Sequence, residues 1–256
     1  MGTLVEKNKS EEEARKDFFP ENPHIITLVS YYPNKSLTNK VLVLDVDETM
    51  IHSFHQPAEV AKIHNLGIWN NPNYLPLRRV IRFFTIENVM KHAVPGAGIE
   101  NNIILVFRPN LLEFLIFAFT YFKLIIIWSA GQPKYVRTAV RHIFRDIPAP
   151  HAILDSEMCS KDKYGDVAKP LQFVYDIFPN IASADNTLII DDRDSNIGAN
   201  PDNGILIPEY LPQPTISSLS TDDTALPRVR KWLEQPEVIN SKNIRTIPKN
   251  KIFSLT

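Results

Sequence analysis

Two aspartates stand one residue apart in Asp45-Val46-Asp47-Glu48-Thr49, directly after the unbroken apolar run Val41–Leu44. Side chains alternate along an extended chain, so Asp45 and Asp47 can flank one reaction centre while Val46 turns away. One carboxylate of such a pair can attack phosphorus. The other can protonate the leaving oxygen and later deprotonate the water that opens the acyl-phosphate. Nucleophile and phosphate are both anions, so a cation has to lie between them. Mg²⁺ takes oxygen ligands, and a second acidic pair, Asp191-Asp192, follows another apolar run that starts at Thr187. The phosphate oxygens need donors as well. Ser129-Ala130-Gly131, ahead of a helix starting at Pro133, offers a hydroxyl and backbone N–H groups. Among the lysines, Lys169 at a helix start is the best placed; Lys161 and Lys163 lie on the same loop.

These residues need elements to hold them. Val41–Leu44, Lys123-LIIIW and Thr187-LII are apolar throughout, the pattern of strands buried on both faces of a parallel sheet. Ile103-ILVF and Ile205-LIP read as further strands. Helices are expected from about Asn110 to Tyr121, Pro133 to Phe144, Lys169 to Phe178 and Asp222 to Glu234. Pro109 suits the first turn of its helix. Strands alternating with helices imply βαβ units, and sites in such sheets form at the carboxyl ends of the strands. Asp45-x-Asp47, Ser129 and Asp191-Asp192 all fall there. Residues 1–37 read as a flexible arm and residues 241–256 as a tail, with the main domain over 38–240. Residues 55–100, broken by prolines and glycines, read as a small insertion with one strand near Arg79–Ile86.

The 256 residues carry a net charge of −1 and 44% apolar side chains, enough for one core and without a global pull toward nucleic acid or anionic membrane. The one cysteine, Cys159, excludes an internal disulfide and a CxxC metal or redox site. The N-terminus lacks a secretory apolar region, and Glu6 stands where myristoylation needs Ser or Thr. Leu111–Trp128 is long and apolar but contains Glu113 and Lys123 and ends in β-branched residues. A helix followed by a strand fits it better than a membrane span.

The motif order DVDET, a strand ending in Ser, Lys169 and IIDD resembles the haloacid-dehalogenase superfamily. The wording VLVLDVDETMIHS, VFRPNLLEFL, WSAGQPKYV, IIDDRDSNIGANPDNGILI and TDDTALPRVRKWLE is similar to phosphatases of the RNA polymerase II C-terminal domain, the NLI-interacting-factor-like group. The resemblance implies a three-layer Rossmann-like α/β fold with no large cap. It implies Asp45 as nucleophile and Asp47 as general acid/base, with the Asp47 carbonyl as a metal ligand. It makes Thr49, Ser129 and Lys169 phosphate-site residues and places Mg²⁺ on Asp45, Asp47 and one or both of Asp191 and Asp192. Arg108 would contact substrate or shape the pocket. Asp191-Asp192 departs from the Asp-Asn of the smaller branch. Residues 55–100, which lie near the substrate groove in relatives, match nothing clearly.

Each residue also has a plainer reading: an acidic surface turn, a strand-end cap, a solvated lysine. It is their order after successive apolar runs that favours chemistry. The expectation is an Mg²⁺-dependent, aspartate-based phosphatase of phosphoserine or phosphothreonine in a protein or peptide, monomeric, without direct nucleic-acid or membrane binding, nuclear or cytoplasmic and not secreted. The rivals are a silent binding member of the same family and a small-molecule phosphatase. His52 reads as supporting, Trp69 and Tyr74 as packing residues, and Arg78, Arg79 and Arg82 as a solvated basic face.

Overall fold

A computed structural model describes residues 36–86, 101–161 and 164–254. Nearly all of the expected N-terminal arm, the last part of the expected insertion (87–100) and Lys163 lie outside the described residues.

The strands are β1 (Val41–Leu44), β2 (Ile51–Phe54), β3 (Ile81–Ile86), β4 (Asn101–Phe107), β5 (Leu124–Trp128), β6 (Ala152–Leu154), β7 (Ser160–Lys161), β8 (Val167–Ala168), β9 (Thr187–Asp191) and β10 (Gly204–Leu206). The central sheet is parallel, in the order β10-β9-β1-β5-β6. Its inner strands β1, β5 and β9 are buried at every residue, as their apolar runs require. The helices are α1 (Pro57–Asn65), α2 (Leu75–Val80), α3 (Leu111–Tyr121), α4 (Pro133–Ile143), α5 (Gln172–Ile177), α6 (Asp194–Gly198), α7 (Ile216–Leu219) and α8 (Ala225–Leu233); α1, α2 and α7 pack with β2, β3 and β4 through Val60, Ile63, Leu77 and Leu219, and helices cover both faces of the central sheet. One core cluster joins Leu42, Leu44, Ile125 and Ile127 to α3, α4 and α8. The other joins Val41, Val43, Ile126 and Trp128 to Leu171, Val174 and Phe178. Alternate residues of one strand thus feed opposite layers, giving the expected three-layer fold.

Leu111–Trp128 resolves into α3 and β5. Among the described residues no helix is long and apolar enough to cross a membrane.

The insertion differs in detail from its expected form. β2 follows the acidic motif directly and pairs antiparallel with β4, which pairs antiparallel with β3. Ile103–Phe107 therefore belongs to this small sheet and not to the parallel one. The reason is the tight turn after Asp47, which sends the chain straight back as β2 alongside β4. Arg78 is not solvated: its Nε donates to the Ile68 carbonyl and its Nη2 to that of Asn71, both at 2.9 Å. Arg82 donates to the Arg79 carbonyl at 2.6 Å and lies over the Phe107 ring. Both arginines fasten the insertion. The expected C-terminal tail is packed as well, since Ile244 and Ile252 are core residues and Lys40 Nζ donates to the Ser241 carbonyl.

Candidate active site

Asp45 is the first residue past β1, and its backbone N–H still donates to the Ile190 carbonyl at 3.1 Å. The chain then turns sharply. Glu48 adopts a left-handed φ of 58°, uncommon for a residue with a side chain. Met50 and Ile51 both donate to the Val46 carbonyl. This turn throws Asp45 and Asp47 to the same side of the sheet's edge, as alternation requires.

Lys169 reaches the site from the segment after β8 and is buried, 1% exposed. Its Nζ donates to Asp45 Oδ1 and, at 2.8 Å, to Asp191 Oδ2. Asn200 anchors the lysine's backbone, its Nδ2 donating to the Lys169 carbonyl at 2.8 Å. Asp191, fully buried, also accepts from the Arg193 backbone N–H at 2.9 Å and from Asn196 Nδ2 at 2.8 Å. Burial pushes Asp45 well above the usual carboxylate range; Lys169 pulls against that and Asp191 adds to it. Burial by itself would lower Lys169, but Asp45 and Asp191 outweigh it and hold the ammonium above its ordinary value.

Asp47 faces a different set. Its Oδ2 accepts from Ser129 Oγ at 3.3 Å, and its Oδ1 accepts from the Tyr135 hydroxyl. Ser53 Oγ lies 2.5 Å from the same tyrosine oxygen. Burial raises the Asp47 carboxyl, opposed by the Tyr135 hydrogen bond. A carboxyl raised in this way is suited to carrying a proton between groups. Gly131 permits the arrangement: a Cβ there would meet Tyr135 Cδ1 at 2.8 Å and Ser129 Oγ at 3.1 Å.

Asp45, Asp191 and Asp192 each present a carboxylate oxygen, all within 4.8 Å of one another. A donor set of hard oxygens alone fits Mg²⁺ better than zinc or copper. The Asp47 carboxylate stands outside this trio. Over Asp45 and Asp47 opens a cleft of about 500 Å³, whose walls include Ile86, Ile103, Ser129, Lys134, Tyr135 and Arg193.

The family model of NLI interacting factor-like phosphatases matches residues 40–245, a span holding every residue named above. The chain belongs to this family. Among solved structures it is similar to a variant of the fission yeast RNA polymerase II CTD phosphatase Fcp1 bound to beryllium fluoride. The identity is 18% and the TM-score 0.47, over 89% of this chain and 53% of that one. A second structure of Fcp1, described as an essential RNA polymerase II CTD phosphatase, is similar at 15% identity and a TM-score of 0.47, over 96% of this chain and 62% of that one. The chain thus spans less than two thirds of either. No curated protein matches it.

Asp45, Asp47, Ser129, Lys169, Asp191 and Asp192 converge, and two expected site residues stand elsewhere. Thr49 is fully buried, and its Oγ1 donates to Asp192 Oδ1 at 2.9 Å, so it holds a carboxylate and does not line the cleft. Arg108 is buried, 1% exposed. It grips Asp223 through two hydrogen bonds of 3.0 Å and donates to the Thr49 and Pro208 carbonyls. The guanidinium thereby staples the motif turn to the segment before α8. His52 packs edge-on to Phe54 with its Nδ1 3.1 Å from Glu48 Oε1, a supporting place as expected. Sequence reasoning missed Ser53, Asn196, Asn200 and Tyr135. The position of Tyr135 one turn past Ser129-Ala130-Gly131 was the available signal.

Proposed function

We propose that this chain is a phosphoprotein phosphatase acting on phosphoserine and phosphothreonine through a phospho-Asp45 intermediate. The observation that carries the proposal is the division of labour between the two aspartates: Asp45 is held by Lys169, whereas Asp47 is held by hydroxyl donors. An Asp45 oxygen attacks phosphorus and the bond from phosphorus to the leaving oxygen breaks. Asp47 gives its proton to that oxygen, releasing the serine or threonine hydroxyl. Asp47 then takes a proton from water, the water oxygen attacks phosphorus, and cleavage of the phosphorus–Asp45 bond frees inorganic phosphate. Ser129 and Lys169 donate to phosphate oxygens and orient them. Asp45, Asp191 and Asp192 would hold Mg²⁺, which when bound offsets the repulsion between carboxylate and phosphate. An open cleft with apolar walls at Ile86 and Ile103 suits an extended peptide better than a small metabolite.

The test is to trap the intermediate. Brief incubation with a phosphoserine peptide and Mg²⁺, then borohydride reduction, should leave homoserine at position 45, detected by peptide mass spectrometry. A hexose phosphate run in parallel should leave far less. No modification at position 45 during active turnover would overturn the mechanism, and equal labelling by the sugar phosphate would overturn the substrate class.

A further inference from the structure

Asp47 is held by a chain of two hydroxyls that come from different parts of the fold. Tyr135 stands in the first turn of α4 and gives its hydroxyl hydrogen to Asp47 Oδ1. Ser53 stands on β2 of the antiparallel sheet. Its Oγ lies 2.5 Å from the Tyr135 oxygen and 3.4 Å from the same Asp47 oxygen. Because the tyrosine hydrogen is committed to Asp47, the serine hydroxyl donates to the tyrosine oxygen, over the shorter distance. The order is thus Ser53 to Tyr135 to Asp47 Oδ1, and all three residues line the cleft.

The other oxygen of Asp47 is held differently. Oδ2 accepts from Ser129 Oγ at 3.3 Å, and that Oγ accepts from the Gly131 N–H at 3.0 Å. Ser129 belongs to the phosphate-binding set, so its hydrogen turns to a phosphate oxygen when an ester is bound. Oδ2 then faces the ester without that donor, while Oδ1 stays anchored and fixes the plane of the carboxyl. A proton on Asp47 accordingly belongs on Oδ2. Packing calls for neither hydroxyl. The Tyr135 ring alone fills the space over Gly131, where a Cβ would meet its Cδ1 at 2.8 Å. Ser53 sits opposite Leu105 in a ladder that β2 and β4 make through their backbones.

We propose that Ser53 and Tyr135 are positioning residues that aim Asp47 Oδ2 at the leaving oxygen, and that this aim is what lets the site cleave esters of poor leaving groups, the alkyl hydroxyls of serine and threonine. The proposal rests on the phospho-Asp45 reading above and deepens it. As the bond from phosphorus to the leaving oxygen breaks, its electron pair stays with that oxygen and takes the Oδ2 proton. Neither positioning hydroxyl is consumed. A nitrophenyl oxygen spreads the developing charge into its ring and needs the proton little. An alkyl oxygen has no such outlet, so for it the placement of the acid decides the rate. Through Ser53 the antiparallel sheet, which stands over the cleft, also sets the acid beneath it.

The test is the dependence of kcat/KM on the leaving group, since kcat/KM covers the steps up to formation of phospho-Asp45. p-Nitrophenyl phosphate, phenyl phosphate and a phosphoserine peptide would be compared in the native chain, Tyr135→Phe, Ser53→Ala and Ser53→Thr. Tyr135→Phe should lower the value for the peptide by about 30-fold and that for p-nitrophenyl phosphate by about threefold at most, with phenyl phosphate between them. Ser53→Ala should show the same gradient on a smaller scale, and Ser53→Thr, which keeps the hydroxyl, should restore native values. The serine pair carries the comparison by itself if Tyr135→Phe does not fold. Equal losses for all three esters would overturn the positioning role and leave the phosphatase reading intact. A loss confined to the peptide, with the two aryl esters affected alike, would mark a binding contact and equally overturn it. No turnover of any ester by the native chain would overturn the phosphatase reading, and the positioning role with it.

Discussion

At the scale of single residues, the site is a set of buried charges that neutralise one another. Lys169 touches both Asp45 and Asp191, so it fixes the direction of the Asp45 carboxylate and limits the repulsion between the two acids. Lys161 is exposed on the short strand β7. Lys169→Ala should therefore lower turnover of an aryl phosphate by at least about 10²-fold, the cost of losing one oriented donor at a charged centre, while Lys161→Ala should leave it within about twofold. Equal losses in steady-state kinetics would mean that the wrong lysine was assigned. The places of Asp45, Asp47, Ser129 and Asp191 were readable beforehand because each lies at the end of an apolar run or just past it, so position along the chain announced position in space; Lys169, expected at a helix start, lies instead between β8 and α5, which starts at Gln172. Thr49 and Arg108 were not readable in this way. What they touch, Asp192 and Asp223, depends on how distant segments meet. The left-handed turn at Glu48 left no trace either, because glutamate is not a residue type that favours it.

At the scale of elements, apolar continuity identified β1, β5 and β9 because a strand buried on both faces is apolar through its middle. It failed at β6, only three residues long, too short for any pattern to rise above the surrounding prolines. It found β4 as a strand without assigning it to a sheet, since an apolar run does not say which neighbours a strand takes. The short edge strand β6 is reinforced by His151, whose backbone N–H donates to the Ile125 carbonyl at 2.9 Å and whose Nδ1 accepts from the Ile125 N–H at 3.0 Å. Burial holds this imidazole down, to about 4, against an ordinary 6.5. A group lowered on folding stabilises the neutral form: the contribution is full above pH 6.5 and is lost as pH falls toward 4. The loss should be about 2–3 kcal/mol in urea-unfolding free energy across that window, and His151→Gln should flatten it. An unchanged slope in that variant would remove His151 as the cause.

At the scale of the whole molecule, a parallel sheet brings four chemically distinct contributions to one edge from across the chain, and an antiparallel insertion stands over them as a wall. The three-layer architecture and the order of the site residues were legible because both follow from strand-then-helix alternation. The insertion's pairing and the packing of Ile244 and Ile252 were not, since both depend on surfaces that only the finished core presents. What the assembly claims to do is split a phosphate ester at Asp45 with Mg²⁺ held by the acidic trio. The most direct measurement is hydrolysis of p-nitrophenyl phosphate by the native chain and by Asp45→Asn, each with Mg²⁺ and after its removal by a chelator. The native chain with Mg²⁺ should turn over, and chelation should abolish turnover reversibly. Asp45→Asn should be inactive in both conditions, by about 10³-fold or more. Full activity in Asp45→Asn, or native activity indifferent to the metal, would contradict the account.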